Sequence, residues 1–208
     1  MDAKEQIEKQ KTKSEPKRKG RRAYLDDYVK DASGSYVYTG TTYRWKNSRK
    51  ASLGRLWIFA LAAFAAQIAA GSISDTGMNG CAWVLLPYAA ALITSVSLVW
   101  GNYMLTDGGE KIPEYVFQKS AEALPVRALL TAVFSGISLV GELVSMIRQS
   151  QFTGSISGAL LFSSAEAVSL IFALLLRKKV LRLEWESTGT NQAETEEAEE
   201  LFGTAPKA

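Results

Sequence analysis

LPVRALLTAVFSGISLVGELVSMI, residues 124–147, is the stretch that decides the fold. An α-helix needs about twenty predominantly apolar residues to cross a bilayer core of ~30 Å, and this stretch supplies them. Its polar residues are not scattered. Thr131, Ser135, Ser138, Glu142 and Ser145 follow one another at alternating steps of four and three. That heptad spacing places all five on one side of a helix. A helix that is apolar elsewhere and polar along one stripe suits lipid, with the stripe turned toward other helices.

Three further runs have the same character: Leu53–Ile73, Ala82–Leu105 and Ile156–Leu176. The first carries Ala60, Ala63, Gln67 and Ala70 along one side, and the second carries Ala90, Thr94, Ser97 and Gly101. In the last run Ala159, Glu166, Ser169 and Ala173 share a face, with Ser163 beside it. Lipid gives helices no hydrophobic reason to associate. They associate through close backbone approach, which small residues permit, and through interhelical hydrogen bonds, which hydroxyls and carboxamides supply. Four facing stripes therefore predict an all-α integral membrane protein, with four transmembrane helices in an antiparallel bundle. The short connections make spans one and two, and spans three and four, antiparallel neighbours.

Charge supports this partition. A mean hydropathy of −0.01 and 22% charged residues read as soluble on average, but the charges are segregated. Between Leu56 and Leu105 the only charge is Asp75, in a connection. Of the 24 lysines and arginines, fifteen lie in Met1–Arg55, two (Lys111, Lys119) in the central loop and five after Leu176. Basic segments stay on the cytoplasmic side, so both tails and the central loop are expected there and the two short connections outside. A polar, basic stretch precedes the first run, which therefore reads as a span rather than a cleaved signal. The expected location is the plasma membrane. Trp45, Trp57, Trp83, Tyr88, Trp100, Tyr103 and Trp185 lie near predicted span ends, where amphipathic rings anchor at the headgroups.

The chain divides into a basic cytoplasmic segment (1–34), an aromatic juxtamembrane segment (35–52), the bundle (53–176) and a C-terminal tail (177–208) with an acidic end. Lys17, Arg18, Lys19, Arg21 and Arg22 are candidate contacts for anionic headgroups, each worth ~1 kcal/mol near such a surface. Low apolar content keeps the first segment from building a core. The stretch SYVYTGTTYRW, Ser35–Trp45, is β-prone and broken at Thr39-Gly40, consistent with a small cytoplasmic hairpin before the first span. In the central loop, Asp107-Gly108-Gly109 is a turn signal, and Pro113 suits the start of a short helix over Glu114–Ala123.

Two carboxylates fall within spans. Glu166 is expected near the midplane, level with Thr94 and Ser135, and Glu142 in the outer third, level with Gln67. A charge at a span centre costs about 3 kcal/mol on insertion scales, so such a residue points inward and marks a polar site. The candidate intramembrane site is Glu166, Glu142, Gln67, Ser135, Ser138 and Thr94. One reading makes Glu166 a neutral hydrogen-bond donor that ties helices together. The other makes the two acids a path for protons or small cations.

Several function classes find no support. The chain has no histidine and a single cysteine, Cys81, so a transition-metal site or an internal disulfide is not expected. No nucleophile–base pairing or Gly-rich phosphate cradle appears, so no enzyme activity and no cofactor are expected. The basic cluster lacks an accompanying nucleic-acid fold. The expected partners are the lipid bilayer, anionic lipid at the N-terminus, and another membrane protein or a second copy. The function expected is that of a small accessory or subunit protein acting through helix association; the alternative is a proton- or cation-coupled transporter of small solutes.

Overall fold

The computed structural model describes residues 28–30, 36–38, 40–74, 76, 80–148 and 155–188. The candidate headgroup contacts Lys17, Arg18, Lys19, Arg21 and Arg22, the acidic end and most of the second short connection lie outside the described residues. The chain forms two compact units, Met1–Thr42 with Thr188–Ala208, and Tyr43–Ser187.

In the first unit, β1 (Tyr28–Lys30) and β2 (Tyr36–Tyr38) pair antiparallel, with Tyr28 opposite Tyr38 and Lys30 opposite Tyr36. The Tyr28 ring meets Tyr38 edge-on at 5.2 Å. A small hairpin thus precedes the first span, but its strands are not the expected pair. Tyr36–Tyr38 pairs backward across residues 31–35, rather than forward across Thr39-Gly40.

The second unit is built on four long helices: α1 (Arg49–Gly71), α2 (Ala82–Asp107), α4 (Leu124–Ile147) and α5 (Ile156–Val180). All four are long and apolar enough to cross a membrane. A short helix α3 (Glu114–Phe117) and a π-helical turn over Gln118–Glu122 lead into α4. Pro113 precedes α3 as its cap, where its missing N–H costs nothing, and Pro125 sits in the first turn of α4 for the same reason. Ser155 caps α5, its hydroxyl accepting from the Gly158 amide at 3.0 Å. Arg177, Lys178 and Lys179 lie in the last turn of α5, facing the negative end of the helix dipole.

Side-chain contacts fix the helix directions. Arg49 at the start of α1 meets Thr106 at the end of α2, and Tyr88 early in α2 reaches Gln67 late in α1. Between α2 and α4, Arg127 meets Ser97 and Ser138 meets Val84. Between α1 and α5, Phe59 meets Phe172 and Gln67 meets Glu166. Each of these pairs runs antiparallel. Helix α1 packs between α2 and α5, and so does α4, which leaves α1 and α4 on one diagonal of the bundle.

The strands β3 (Thr42–Trp45), β4 (Lys111–Pro113) and β5 (Trp185–Thr188) form a sheet in the order β4-β3-β5. It joins three segments that sequence reading kept apart. Tyr43 stacks on Phe117 at 4.0 Å, Trp45 lies against Trp185 at 4.2 Å, and Phe117 meets Trp185 edge-on at 5.0 Å. These rings continue into an apolar core containing Leu56, Leu98, Leu105, Ile112, Leu124 and Leu176. Trp45 and Trp185 are thus packed in this layer rather than standing free as anchors. Beside the sheet, the Lys46 ammonium pairs with the Glu184 carboxylate at 3.0 Å, which raises Lys46 above its usual 10.5.

A second, smaller apolar cluster lies at the opposite end of the bundle: Ala70, Cys81, Val84, Tyr88 and Phe162. Between the two lies a layer of polar side chains.

Candidate functional site

Gln67 stands where the four helices converge. Its Nε2 lies 2.7 Å from Ser135 Oγ on α4, 2.9 Å from Glu166 Oε2 and 2.9 Å from Ser169 Oγ on α5. Ser135 Oγ donates to Ser169 Oγ at 3.4 Å. From α2, the Tyr88 hydroxyl donates to the Gln67 backbone carbonyl at 3.0 Å. Gln67, Ser135, Glu166 and Ser169 are each 0% exposed.

A carboxamide has two N–H groups, so three acceptors must share them. Two oxygens of the cluster, Gln67 Oε1 and Glu166 Oε1, are buried without a partner. Turned over about its last bond, the same amide would offer its oxygen to two serine hydroxyls and a neutral Glu166. That arrangement would leave both N–H groups at the position of Oε1, buried without a partner, so it costs more than the one shown. Among the described residues, no lysine or arginine is ion-paired with Glu166.

The stripes of α1, α4 and α5 are buried along their length: Ala60, Ala63, Gln67 and Ala70; Thr131, Ser135, Ser138, Glu142 and Ser145; Ala159, Glu166, Ser169 and Ala173. Helix α2 differs. Its buried face is Val84, Tyr88, Ala91, Ser95, Leu98, Gly101, Asn102 and Leu105. Thr94 is half-buried, and its hydroxyl donates to the Ala90 and Ala91 carbonyls of its own helix. It does not join Glu166. Threonine in a helix can satisfy its hydroxyl locally, so a hydroxyl at stripe spacing is no proof of an inward face.

Nor does Glu142 pair with Gln67. Glu142 is fully buried, but seven residues beyond Ser135 on α4 it lies about 10 Å farther along the axis. The cause is a stagger. Gln67 is four residues from the end of α1, yet level with Glu166, ten residues from the start of α5. The end of α1 therefore sits about 9 Å deeper than the start of α5. Counting from span ends assumed flush helices. Ser138 lies one turn from Ser135, and its hydroxyl donates to the Val84 carbonyl of α2 at 3.4 Å.

Tyr88 is the participant that sequence reasoning missed, having placed it at the headgroups. It is 8% exposed and holds the end of α1. A signal for it was present: Tyr88, Ser95 and Asn102 recur every seven residues, and all three are buried. Gly71 makes the approach feasible, because a Cβ there would overlap the Tyr88 hydroxyl. Gly141 does the same between α4 and α2, where a Cβ would stand 3.2 Å from the Trp83 carbonyl. That carbonyl lacks its usual helical donor, because position 87 is proline.

No family model, curated protein or solved structure matches this chain. The chemistry must therefore be read from the site itself. Its geometry supports hydrogen bonding between helices. Among the described residues, no group of three or more acids, cysteines or histidines could hold a metal ion.

Proposed function

We propose that this chain is a small membrane-integral subunit or accessory protein that works through association of its helices, with both termini on the cytoplasmic side of the plasma membrane. One observation carries the reading. Two strongly polar groups of the inner faces, Gln67 and Glu166, are bonded to each other and to two serines, and nothing the size of a water molecule reaches them. A solute pathway needs such a group to meet water, at least in part. The bundle instead uses its polar layer to hold itself together, which leaves its outer surface for partners. Helix α2 presents Leu86, Ile93 and Trp100 outward at heptad spacing, and α4 presents Val126, Val133 and Val140.

Photo-reactive residues at Ile93 and Val140, in native membranes, test this. A discrete protein adduct from one of these faces is expected, as a second copy or another membrane protein. Adducts to lipid alone at both would overturn the proposal. Orientation is tested separately by protease access to each tail in sealed vesicles.

A second reading, proton- or cation-coupled transport, draws support from the two partnerless oxygens, Gln67 Oε1 and Glu166 Oε1. In liposomes enclosing a pH-sensitive dye, the protein alone is expected to carry no flux. Flux abolished by Glu166→Gln would favour transport instead.

A further inference from the structure

Where α1 begins and α2 ends, Arg44, Trp45, Asn47, Arg49 and Glu110 line a partly enclosed cavity of about 140 Å³. Arg49 is the first residue of α1, and Glu110 lies three residues beyond α2. Just along α2, Trp100 and Tyr103 turn exposed rings outward, and the Trp57 indole donates to Thr106 Oγ1 at 3.0 Å. Such a belt of rings marks headgroup depth. The cavity therefore opens where a membrane presents its phosphates.

Its lining is rich in donors and divided in charge. Two arginines and one glutamate line it, yet neither arginine is ion-paired with Glu110. Arg49 has one fixed bond, from Nη2 to the Thr106 carbonyl at 2.6 Å. That bond anchors the guanidinium at the end of α2, while Arg49 Nε is buried with no partner. Arginine presents a planar fork suited to phosphate oxygens. Asn47 adds a carboxamide. Trp45, 8% exposed, completes the lining. A cavity of about 150 Å³ holds a benzene-sized molecule, so this one has room for a phosphate and a short polar arm.

We propose that this cavity binds phosphoethanolamine as the headgroup of a membrane lipid, the phosphate on Arg44 and Arg49 and the ammonium on Glu110. The charge pattern separates this ligand from related ones. A phosphatidylglycerol headgroup brings no cation, which leaves Glu110 facing an anionic lipid. Phosphatidylcholine brings a cation without N–H groups to donate to a carboxylate.

The test is native mass spectrometry of the full chain, released from detergent with equal amounts of the phosphatidylethanolamine, phosphatidylcholine and phosphatidylglycerol lipids. Phosphatidylethanolamine should be retained about tenfold over phosphatidylcholine, the equivalent of one charge-assisted hydrogen bond. Glu110→Gln should erase its advantage over phosphatidylglycerol without releasing lipid, and Arg44→Gln should lower retention of all three. Both side chains are exposed, so unchanged circular dichroism and melting are expected of the variants. Equal retention of the three lipids by the wild type, or an unchanged preference in Glu110→Gln, overturns the proposal. Soluble phosphoethanolamine, added without lipid, separates the two sources of this group. Binding as tight as that of the lipid overturns the lipid assignment; binding only at far higher concentration supports it.

Discussion

At the scale of single residues, Gln67 ties α1 to each of the other three long helices. It contacts α4 and α5 with its amide and α2 through its carbonyl. Interhelical hydrogen bonds in membranes average ~0.6 kcal/mol, because polar groups in the unfolded membrane state also find partners. Its two N–H groups, shared among three acceptors, give about 1.2 kcal/mol on that basis. Gln67→Leu should destabilise the bundle by about that much, measured by reversible unfolding in mixed micelles. Glu166→Gln should cost under about 1 kcal/mol, since an amide replaces a carboxyl of the same shape. Equal losses in the two variants would show that charge, not hydrogen bonding, governs the layer. Gly71 and Tyr88 form the second residue-scale pair. Gly71→Ala should cost about 1–3 kcal/mol, as an overpacked site does. Adding Tyr88→Phe removes the hydroxyl in conflict and should recover part of the loss, visible as coupling in a double-mutant cycle. Additive losses would place the strain elsewhere.

At the scale of elements, the three helices whose inner faces were legible in the sequence are those with a single stripe of small or polar residues. The hydroxyls and acid of α4, the alanines and Gln67 of α1, and the mixed small residues of α5 contrast sharply with the large aliphatics around them. Helix α2 has two competing stripes one residue apart. Of the expected stripe Gly101 is buried but Ala90, Thr94 and Ser97 are only half-buried; the buried face is that of Tyr88, Ser95 and Asn102, whose larger members reach neighbouring backbones. Size alone misled, because a tyrosine near a span end reads equally as an anchor or as a long-range donor. The three-stranded sheet was hidden for another reason. Its strands are three or four residues long and come from segments some seventy residues apart, so no local period reveals their pairing. The clasp beside it is electrostatic and gives the sheet a pH dependence. Glu184, by hydrogen bond and charge, favours the protonated form of Lys46 in the folded chain. The pair's contribution is therefore complete below the ordinary lysine value of 10.5 and is lost as pH rises through the higher folded value. Both side chains are exposed, so the effect is small and screened by salt. Amide exchange at Lys46, whose N–H donates to the Glu184 carbonyl at 3.3 Å, should show protection relative to Lys46→Met at neutral pH. Equal protection in the two proteins would mean that the backbone bond stands without the clasp.

At the scale of the whole bundle, the layers follow from the solvent. Apolar packing holds both ends, Leu56, Leu105 and Leu176 at one and Val84, Tyr88 and Phe162 at the other. The polar layer between them is closed, because each hydroxyl and carboxamide has more to gain from another helix than from hydrocarbon. The stagger of α1 completes the closure. With α1 ending about 9 Å short of the start of α5, Cys81, Val84 and Phe162 pack over the space above Gln67. A closed layer makes a definite prediction for single cysteines introduced after Cys81→Ser. Ser135→Cys and Ser169→Cys replace fully buried hydroxyls with groups of similar size, and should stay unreactive to a membrane-impermeant thiol reagent from either face. Lys50→Cys and Ser157→Cys, exposed at opposite ends of the bundle, should each react from one face only, and from different faces. Reaction of Ser169→Cys at a rate near that of Lys50→Cys would mean that water enters the layer. The bundle would then open in the membrane, and Gln67 would act as a gate across α4 and α5 rather than as a tie between them.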